Sequence, residues 1–185
     1  MAAYIWAIDG NGGAASWVAW IKTAAMSAPL GALATVSVYS VLDMVNKVLA
    51  AAGPDKISRL VLYGHAKSGV QAVGSGHIIN FNNMPVDALG ISPVDGKLWN
   101  GAEQELARLV PILAPDARVS LGGCLVGAPP NGEALLKRMS VVLGVTVEAG
   151  LWNQRPAFPG YEGPIVRCTG NSCITMTGPF KEFRQ

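Results

Sequence analysis

Short apolar runs alternate along this chain with segments whose apolar residues recur every three or four positions. The runs are rich in β-branched residues and end at glycine or polar residues, a pattern typical of buried strands. The predicted strands are 4–8, 34–39, 57–63, 117–121 and 145–149. The apolar stripes between them predict helices over 14–26, 42–52, 102–113 and 133–143.

Strands that alternate with helices of this length favour right-handed crossovers and a parallel sheet with helices on both faces. We therefore expect the α/β class, as a three-layer α/β/α sandwich with a mainly parallel central sheet. Two small β-hairpins are predicted in addition, one pairing 70–73 with 78–81 and one turning at Gly170-Asn171. The polar segment 82–100 is predicted to be irregular. Neither a repeat nor a low-complexity linker interrupts the chain, which predicts a single domain over 1–185.

The composition narrows the class of partner. Half of the residues are apolar and 14% are charged, which is typical of a compact globular protein. The net charge of +2 is spread without runs of Lys or Arg, which argues against nucleic acid as a partner. Pro29 and Gly31 interrupt the longest uncharged stretch, so no membrane span is predicted. No cleavable secretory signal is recognised, so we expect a protein that is cytoplasmic as synthesised, or exported by a route without such a signal.

Three cysteines cannot all pair with one another. Cys168 and Cys173 flank a turn-like tetrapeptide and would face each other across a hairpin. A disulfide is one alternative, and two reduced thiols in a cytosolic protein is the one we favour. No further Cys or His pair stands at ligand spacing, so no metal site is predicted. Cys124 remains as the odd thiol.

Two of the predicted strands end in glycine followed by a side chain suited to catalysis. The strand 57–63 leads into Gly64-His65, and the strand 117–121 leads into Gly122-Gly123-Cys124. Parallel strands bring their carboxyl ends to one edge, where such sheets bind ligands. An imidazole at that edge would take the thiol proton of Cys124 or hold the thiolate as an ion pair.

Main-chain groups at the same edge would complete the site. The N–H groups of Ala66 and of the Gly-Cys turn would face a developing oxyanion. Two glycines before Cys124 would let the backbone turn sharply and let a substrate approach closely. The alternative is that Cys124 is a small core hydrophobe and His65 a structural residue at a strand end. His77, at a predicted hairpin tip, is the alternative candidate for the general base if His65 is structural.

Asp9 ends the first predicted strand, which should lie beside the strand 57–63. It would orient His65, select a basic substrate side chain, or cap the following helix. The sequence after Asp9, Gly-Asn-Gly-Gly-Ala, lacks the full G-x-G-x-x-G spacing, so dinucleotide binding is disfavoured.

Both strand-end segments resemble the motifs of a known superfamily. Leu62-Tyr-Gly-His-Ala-Lys-Ser-Gly69 resembles the Ser/Gly-His-Gly segment of the caspase-like (clan CD) cysteine peptidases. Ser120-Leu-Gly-Gly-Cys-Leu-Val-Gly127 resembles their Gly-Cys block. The bacterial members, such as the self-processing protease domains of RTX toxins, look most similar, and the pattern covers 57–150. The chain departs from the family at Ala66, where the family usually has glycine, which places a methyl group in the cleft.

The resemblance implies a cysteine endopeptidase that forms a thioester acyl-enzyme without a metal or other cofactor. Cys124 would be the nucleophile, His65 the general acid/base, and the N–H groups of Ala66 and Cys124 the oxyanion hole. The substrate pocket would draw on the loops after the first, third and fifth strands. The candidate pocket residues are Asp9, Asn11, Lys67, Trp152 and Arg155.

The pocket charge would set the preference at the cleaved bond. A preference for basic substrate residues would indicate Asp9 or Glu148 as the pocket residue, and a preference for acidic ones would indicate Arg155 or Lys67. The resemblance also implies a protein or peptide substrate and, for a bacterial effector or toxin, a cognate inhibitor or immunity protein.

Two other functions stay open. One is a catalytically inactive module of the same type that binds a peptide or partner protein, which Ala66 favours. The other is a thiol acyltransferase or esterase on a hydrolase-like sheet. Against the latter, the chain has no G-x-S-x-G elbow at its strand-to-helix turn.

Overall fold

The computed structural model describes residues 3–10, 33–74, 88–92, 94–154 and 160–177 of the chain. Within these ranges the chain forms ten strands. In chain order they are β1 Ala3–Asp9, β2 Leu33–Val38, β3 Ile57–Tyr63, β4 Ala66–Lys67, β5 Val70–Ala72, β6 Ala88–Gly90, β7 Leu113–Leu121, β8 Thr146–Gly150, β9 Ile165–Thr169 and β10 Ser172–Met176. The predicted helix 14–26 lies outside the described residues.

Seven strands form one mixed sheet in the order β10-β9-β8-β7-β3-β1-β2. The pairs from β2 to β8 are parallel, and β9 and β10 are antiparallel to their neighbours. The prediction of an α/β protein with a mainly parallel sheet is therefore confirmed. β1 lies beside β3, as expected for the strand that ends at Asp9.

The described residues contain three α-helices: α1 Val41–Ala52, α2 Ala102–Ala107 and α3 Gly132–Leu143. Ser40 caps α1 by accepting a hydrogen bond from the Asp43 amide at 3.0 Å. Gly144, in the left-handed conformation with φ 69°, ends α3 as predicted. The predicted helix 102–113 is too long, because the chain enters a 3-10 turn at Val110–Ile112 and Pro111 has no N–H for an α-helix.

The main core lies between the sheet and these helices. α2 contacts both α1 and α3, so all three helices pack on the same face of the sheet. The opposite face carries a second apolar cluster of Trp6, Ile8, Val61, Tyr63, Tyr161 and Ile165. A helical layer over that face is not among the described residues, so the three-layer sandwich stays a prediction.

A separate three-stranded sheet follows β3 directly. β4 and β5 form a hairpin, and β6 pairs with the other edge of β5. β4 and β6 occupy both edges of β5 in place of the predicted partner of 70–73, and that predicted partner, 78–81, lies outside the described residues. The described parts of the segment 82–100, residues 88–92 and 94–100, are also less irregular than predicted, since they contain β6 and a bridge between Ile91 and Leu98.

The hairpin turning at Gly170-Asn171 is confirmed as β9 and β10. Cys168 and Cys173 are directly opposite in it, with Cα atoms 4.1 Å apart, and form a disulfide. The interpretation of two reduced thiols is thus not what the structure shows. No helix in the described part of the chain has the length and apolar character needed to cross a bilayer.

Candidate functional site

The histidine and cysteine segments lie side by side at the carboxyl edge of the main sheet. β3 and β7 are adjacent and parallel, with Leu62 opposite Leu121. The ladder continues one residue further, because the Gly122 amide donates to the Leu62 carbonyl at 2.8 Å. Gly64-His65 and Gly123-Cys124 therefore leave neighbouring strands at the same level, where open α/β sheets bind ligands.

Gly123 is where the two segments touch. A methyl group built on Gly123 would lie 3.0 Å from the Gly64 carbonyl oxygen and 2.8 Å from Oε1 of Gln71. It would also collide with the methyl group of Ala66. Glycine is therefore required at 123 by the close approach of the histidine segment.

The sharp backbone turn falls one residue after the cysteine. Gly122 and Gly123 were expected to supply it, yet among the described non-glycine residues the left-handed φ of 59° belongs to Leu125. A left-handed leucine costs about 1–2 kcal/mol. Strain of this kind concentrates at functional sites, where the surrounding structure holds it in place. Here the Leu125 amide is held by the Trp152 carbonyl at 3.0 Å.

The sulfur of Cys124 is held by the loop that follows β8. The Gln154 amide donates to Sγ at 3.3 Å, and the thiol donates to the Gln154 carbonyl at 3.5 Å. The amide and the carbonyl of one residue therefore both contact the sulfur. Cys124 as a residue is half-buried.

Gln154 is itself fixed through its side chain. Its Oε1 accepts from the Glu162 amide at 2.7 Å, and its Nε2 donates to the Trp152 carbonyl at 2.8 Å. Sequence reasoning missed Gln154, since nothing distinguishes a glutamine in a proline-rich loop. Only the tertiary structure brings it to the cysteine.

His65 and Ala66 open the β4–β5 hairpin. The Ala72 amide donates to the His65 carbonyl at 2.9 Å, which makes these two residues a hydrogen-bonded pair. The next pair, Ala66 with Gln71, is then a non-hydrogen-bonded pair. The Ala66 N–H consequently points away from β5, as an oxyanion donor requires. His65 is half-buried.

Tyr63 is a further residue at this edge that the sequence did not single out. It is buried, its ring packs against Gly122 and stacks on Trp6 at 6.3 Å between centroids. Burial raises the pKa of Tyr63, and negative charge on Cys124 and on Glu162 raises that pKa further. Tyr63 therefore stays a neutral phenol beside the sulfur.

The pocket candidates differ in their exposure. Asp9 is completely buried, with its Cβ 2.9 Å from a methyl group built on Gly64. This position suits orientation of the histidine segment and withholds the carboxylate from a substrate side chain. Trp152 is 59% exposed and packs against Gly163.

Lys67 is half-buried on the hairpin, and burial lowers its pKa. Asn11 and Arg155, together with the alternative base candidate His77, lie outside the described residues.

Glu148 is not a pocket residue. It is 2% exposed and accepts hydrogen bonds from Arg59 at 2.9 Å, from Ser120 at 2.9 Å and from Arg167 at 3.0 Å. Arg118 lies 3.8 Å from the same carboxylate. The prediction that Glu148 binds a basic substrate side chain is therefore wrong, because three arginines already surround its carboxylate.

Across the described ranges, no three side chains of the His, Cys, Asp and Glu types gather as a metal site would require. The candidate site combines the Cys124 segment, the His65 segment and main-chain amides at one sheet edge. No family model matches this chain, and the searches of curated proteins and of solved structures found no similar protein.

Proposed function

We propose that this protein is a cysteine peptidase of the caspase-like type, with Cys124 as nucleophile and His65 as general acid/base. One observation carries the proposal: Gly123 packs against Gly64 and Ala66, so the Gly-His and Gly-Cys segments interlock at the carboxyl edge of adjacent parallel strands. We include in the proposal the three-layer form of this fold, with a second helical layer over the face of the sheet that carries the cluster of Trp6.

The chemistry follows from these groups. The imidazole of His65 accepts the thiol proton, and the thiolate of Cys124 attacks the carbonyl carbon of the substrate peptide bond. The negative oxygen that develops is held by the N–H groups of Cys124 and Ala66. As the C–N bond breaks, His65 returns the proton to the leaving amine.

The resulting thioester is hydrolysed in the reverse sense. A water molecule gives a proton to His65 and attacks the thioester carbonyl, and a second oxyanion forms in the same place. The C–S bond breaks, the carboxylic acid leaves, and His65 gives its proton to the sulfur, which regenerates the thiol. The Gln154 amide, 3.3 Å from Sγ, would donate a hydrogen bond to the thiolate that forms within this cycle.

The test is cleavage of a peptide library by the wild-type protein, with labelling of Cys124 by iodoacetamide read by mass spectrometry. We expect Cys124→Ala and His65→Ala each to reduce cleavage by at least about 10³-fold, as removal of members of a catalytic unit does. The paired variant Cys168→Ala/Cys173→Ala is the matched thiol control and should retain cleavage. Undiminished cleavage by Cys124→Ala would refute the nucleophile.

A binding module without catalysis is the second candidate. The methyl group of Ala66 against Gly123 and the contact of Gln154 with the sulfur favour it, because both occupy space at the cleft. Such a module would bind library peptides in calorimetry without cleaving them. Its Cys124 would also be alkylated no faster than a free thiol at pH 7.

A further inference from the structure

A buried glutamine joins the two segments of the site. Gln71, in β5, is completely buried. Its Oε1 accepts from the Gly123 amide at 3.1 Å, and its Nε2 donates to the Ala72 carbonyl at 3.0 Å. Since the oxygen and the nitrogen each have a main-chain partner, the carboxamide is held in one orientation.

The carboxamide lies between the histidine and cysteine segments. Its Nε2 is 3.3 Å from a methyl group built on Gly64, and its Oε1 is 2.8 Å from one built on Gly123. Gln71 is also directly opposite Ala66 in the hairpin. A polar side chain is costly at such a place unless its hydrogen bonds are made. The bond from the Gly123 amide ties β5 to the turn that carries Cys124.

The turn needs such a bond because of its glycines. Gly122 and Gly123 have the widest backbone freedom of any residue type, so the peptide planes before Cys124 are poorly determined by local sterics. The bond from the Gly123 N–H to Gln71 fixes the first of these planes. The following N–H, that of Cys124, donates to no acceptor among the described residues and is thus left for a ligand.

We propose that Gln71 is a positioning residue for the oxyanion hole: through Gly123 it holds the Cys124 N–H in the direction that the developing oxyanion requires. The inference rests on the proposed peptidase function. Gln71 does not touch the substrate, and it acts on the acylation step rather than on the reactivity of the sulfur.

The test separates these two effects with one variant. Gln71→Met keeps the length of the side chain and removes both hydrogen bonds, and Gln104→Met, on the exposed side of α2, is the matched control. Peptide cleavage passes through an oxyanion, whereas alkylation by iodoacetamide displaces iodide without one. We expect Gln71→Met to lower kcat by about 10- to 100-fold, which is a smaller fall than complete removal of an oxyanion donor causes. KM and the alkylation rate of Cys124 should stay within about threefold, because neither depends on this donor.

Two results would overturn the inference. An unchanged kcat would show that the bond does not matter, and an equal fall in cleavage and alkylation would show a merely structural role. Gln71→Asn, which stays polar but is too short to reach Gly123, replaces Gln71→Met if thermal unfolding shows that the latter does not fold.

A wild-type protein that cleaves no peptide would refute the proposed function, and amide exchange then tests the positioning itself. In that case Gln71→Met should speed hydrogen exchange at the Gly123 amide by at least about tenfold relative to Gln104→Met, since a lost hydrogen bond unprotects its donor. An unchanged exchange rate would overturn the inference independently of any activity.

Discussion

At the scale of single residues, the site depends on an absent side chain. Gly123 sits where the histidine segment, the hairpin and the cysteine turn meet, and Gln71 Oε1 and the Gly64 carbonyl leave no space for a methyl group. The histidine and cysteine segments can therefore approach each other closely only because residue 123 has no Cβ.

We predict that Gly123→Ala lowers the free energy of unfolding by about 1–3 kcal/mol, the usual cost of forcing a group into a packed site. Cleavage and alkylation of Cys124 should fall with it. Gly144→Asn is the matched control, because nothing lies within 4 Å of its Cβ position and asparagine accepts its left-handed φ of 69°. Urea unfolding of both variants gives the comparison, and equal stability of Gly123→Ala and wild type would contradict the packing argument.

At the scale of the elements, one carboxylate ties four strands together. Glu148 in β8 bonds to Arg59 in β3, Ser120 in β7 and Arg167 in β9, all on the face of the sheet opposite the described helices. Tyr161 adds a hydrogen bond to the Glu148 carbonyl at 2.8 Å. This network holds the order of the strands that supply the site.

We predict that Glu148→Gln lowers the free energy of unfolding by about 3–5 kcal/mol, because it leaves the buried Arg59 and the partly buried Arg167 without a counter-charge. Glu133→Gln removes an exposed pair with Lys137 and should cost less than about 0.5 kcal/mol. Chemical denaturation with both variants checks the difference. Similar small losses in the two would show that the buried network contributes little.

At the scale of the whole molecule, an ion pair joins α2 to α3, and its carboxylate also binds the segment that leads into α2. Glu103 in α2 binds Arg138 of α3 at 2.6 and 2.7 Å and accepts from the Leu98 amide at 2.9 Å. The hydrogen bonds from Arg138 are the main cause that lowers the pKa of Glu103 from its usual 4.5. Since the folded pKa is the lower one, the stabilisation is complete above the unfolded value and is lost as the pH falls through the folded one.

We predict that Glu103→Gln lowers the free energy of unfolding by about 1 kcal/mol at pH 7, the size of a partly exposed charged pair. The difference from wild type should shrink as the pH falls below 4.5 and vanish once Glu103 is protonated in the folded state. Thermal unfolding between pH 7 and pH 2 measures it, with Glu105→Gln, which removes the more exposed pair with Arg108, as the control. A gap that persists at the lowest pH would contradict the charge argument.

Local patterns predicted the regular elements well where local physics decides them. The apolar run of β3 matches its bounds, and α3 ends at the predicted Gly144. Prediction failed where a partner elsewhere decides. β5 has β4 and β6 at its two edges in place of the predicted partner, since strand propensity does not encode which edge a strand will meet.

The order of elements, the mainly parallel sheet and the presence of Gly-His and Gly-Cys at strand ends were determined by the sequence itself, because hydrophobic period and glycine placement act locally. The tertiary structure alone decided that Gln71 from β5 and Gln154 from the loop after β8 reach Cys124 and its turn. The physical reason is that hydrogen bonds between distant segments depend on the registers of several strands at once. No short stretch of sequence contains that information.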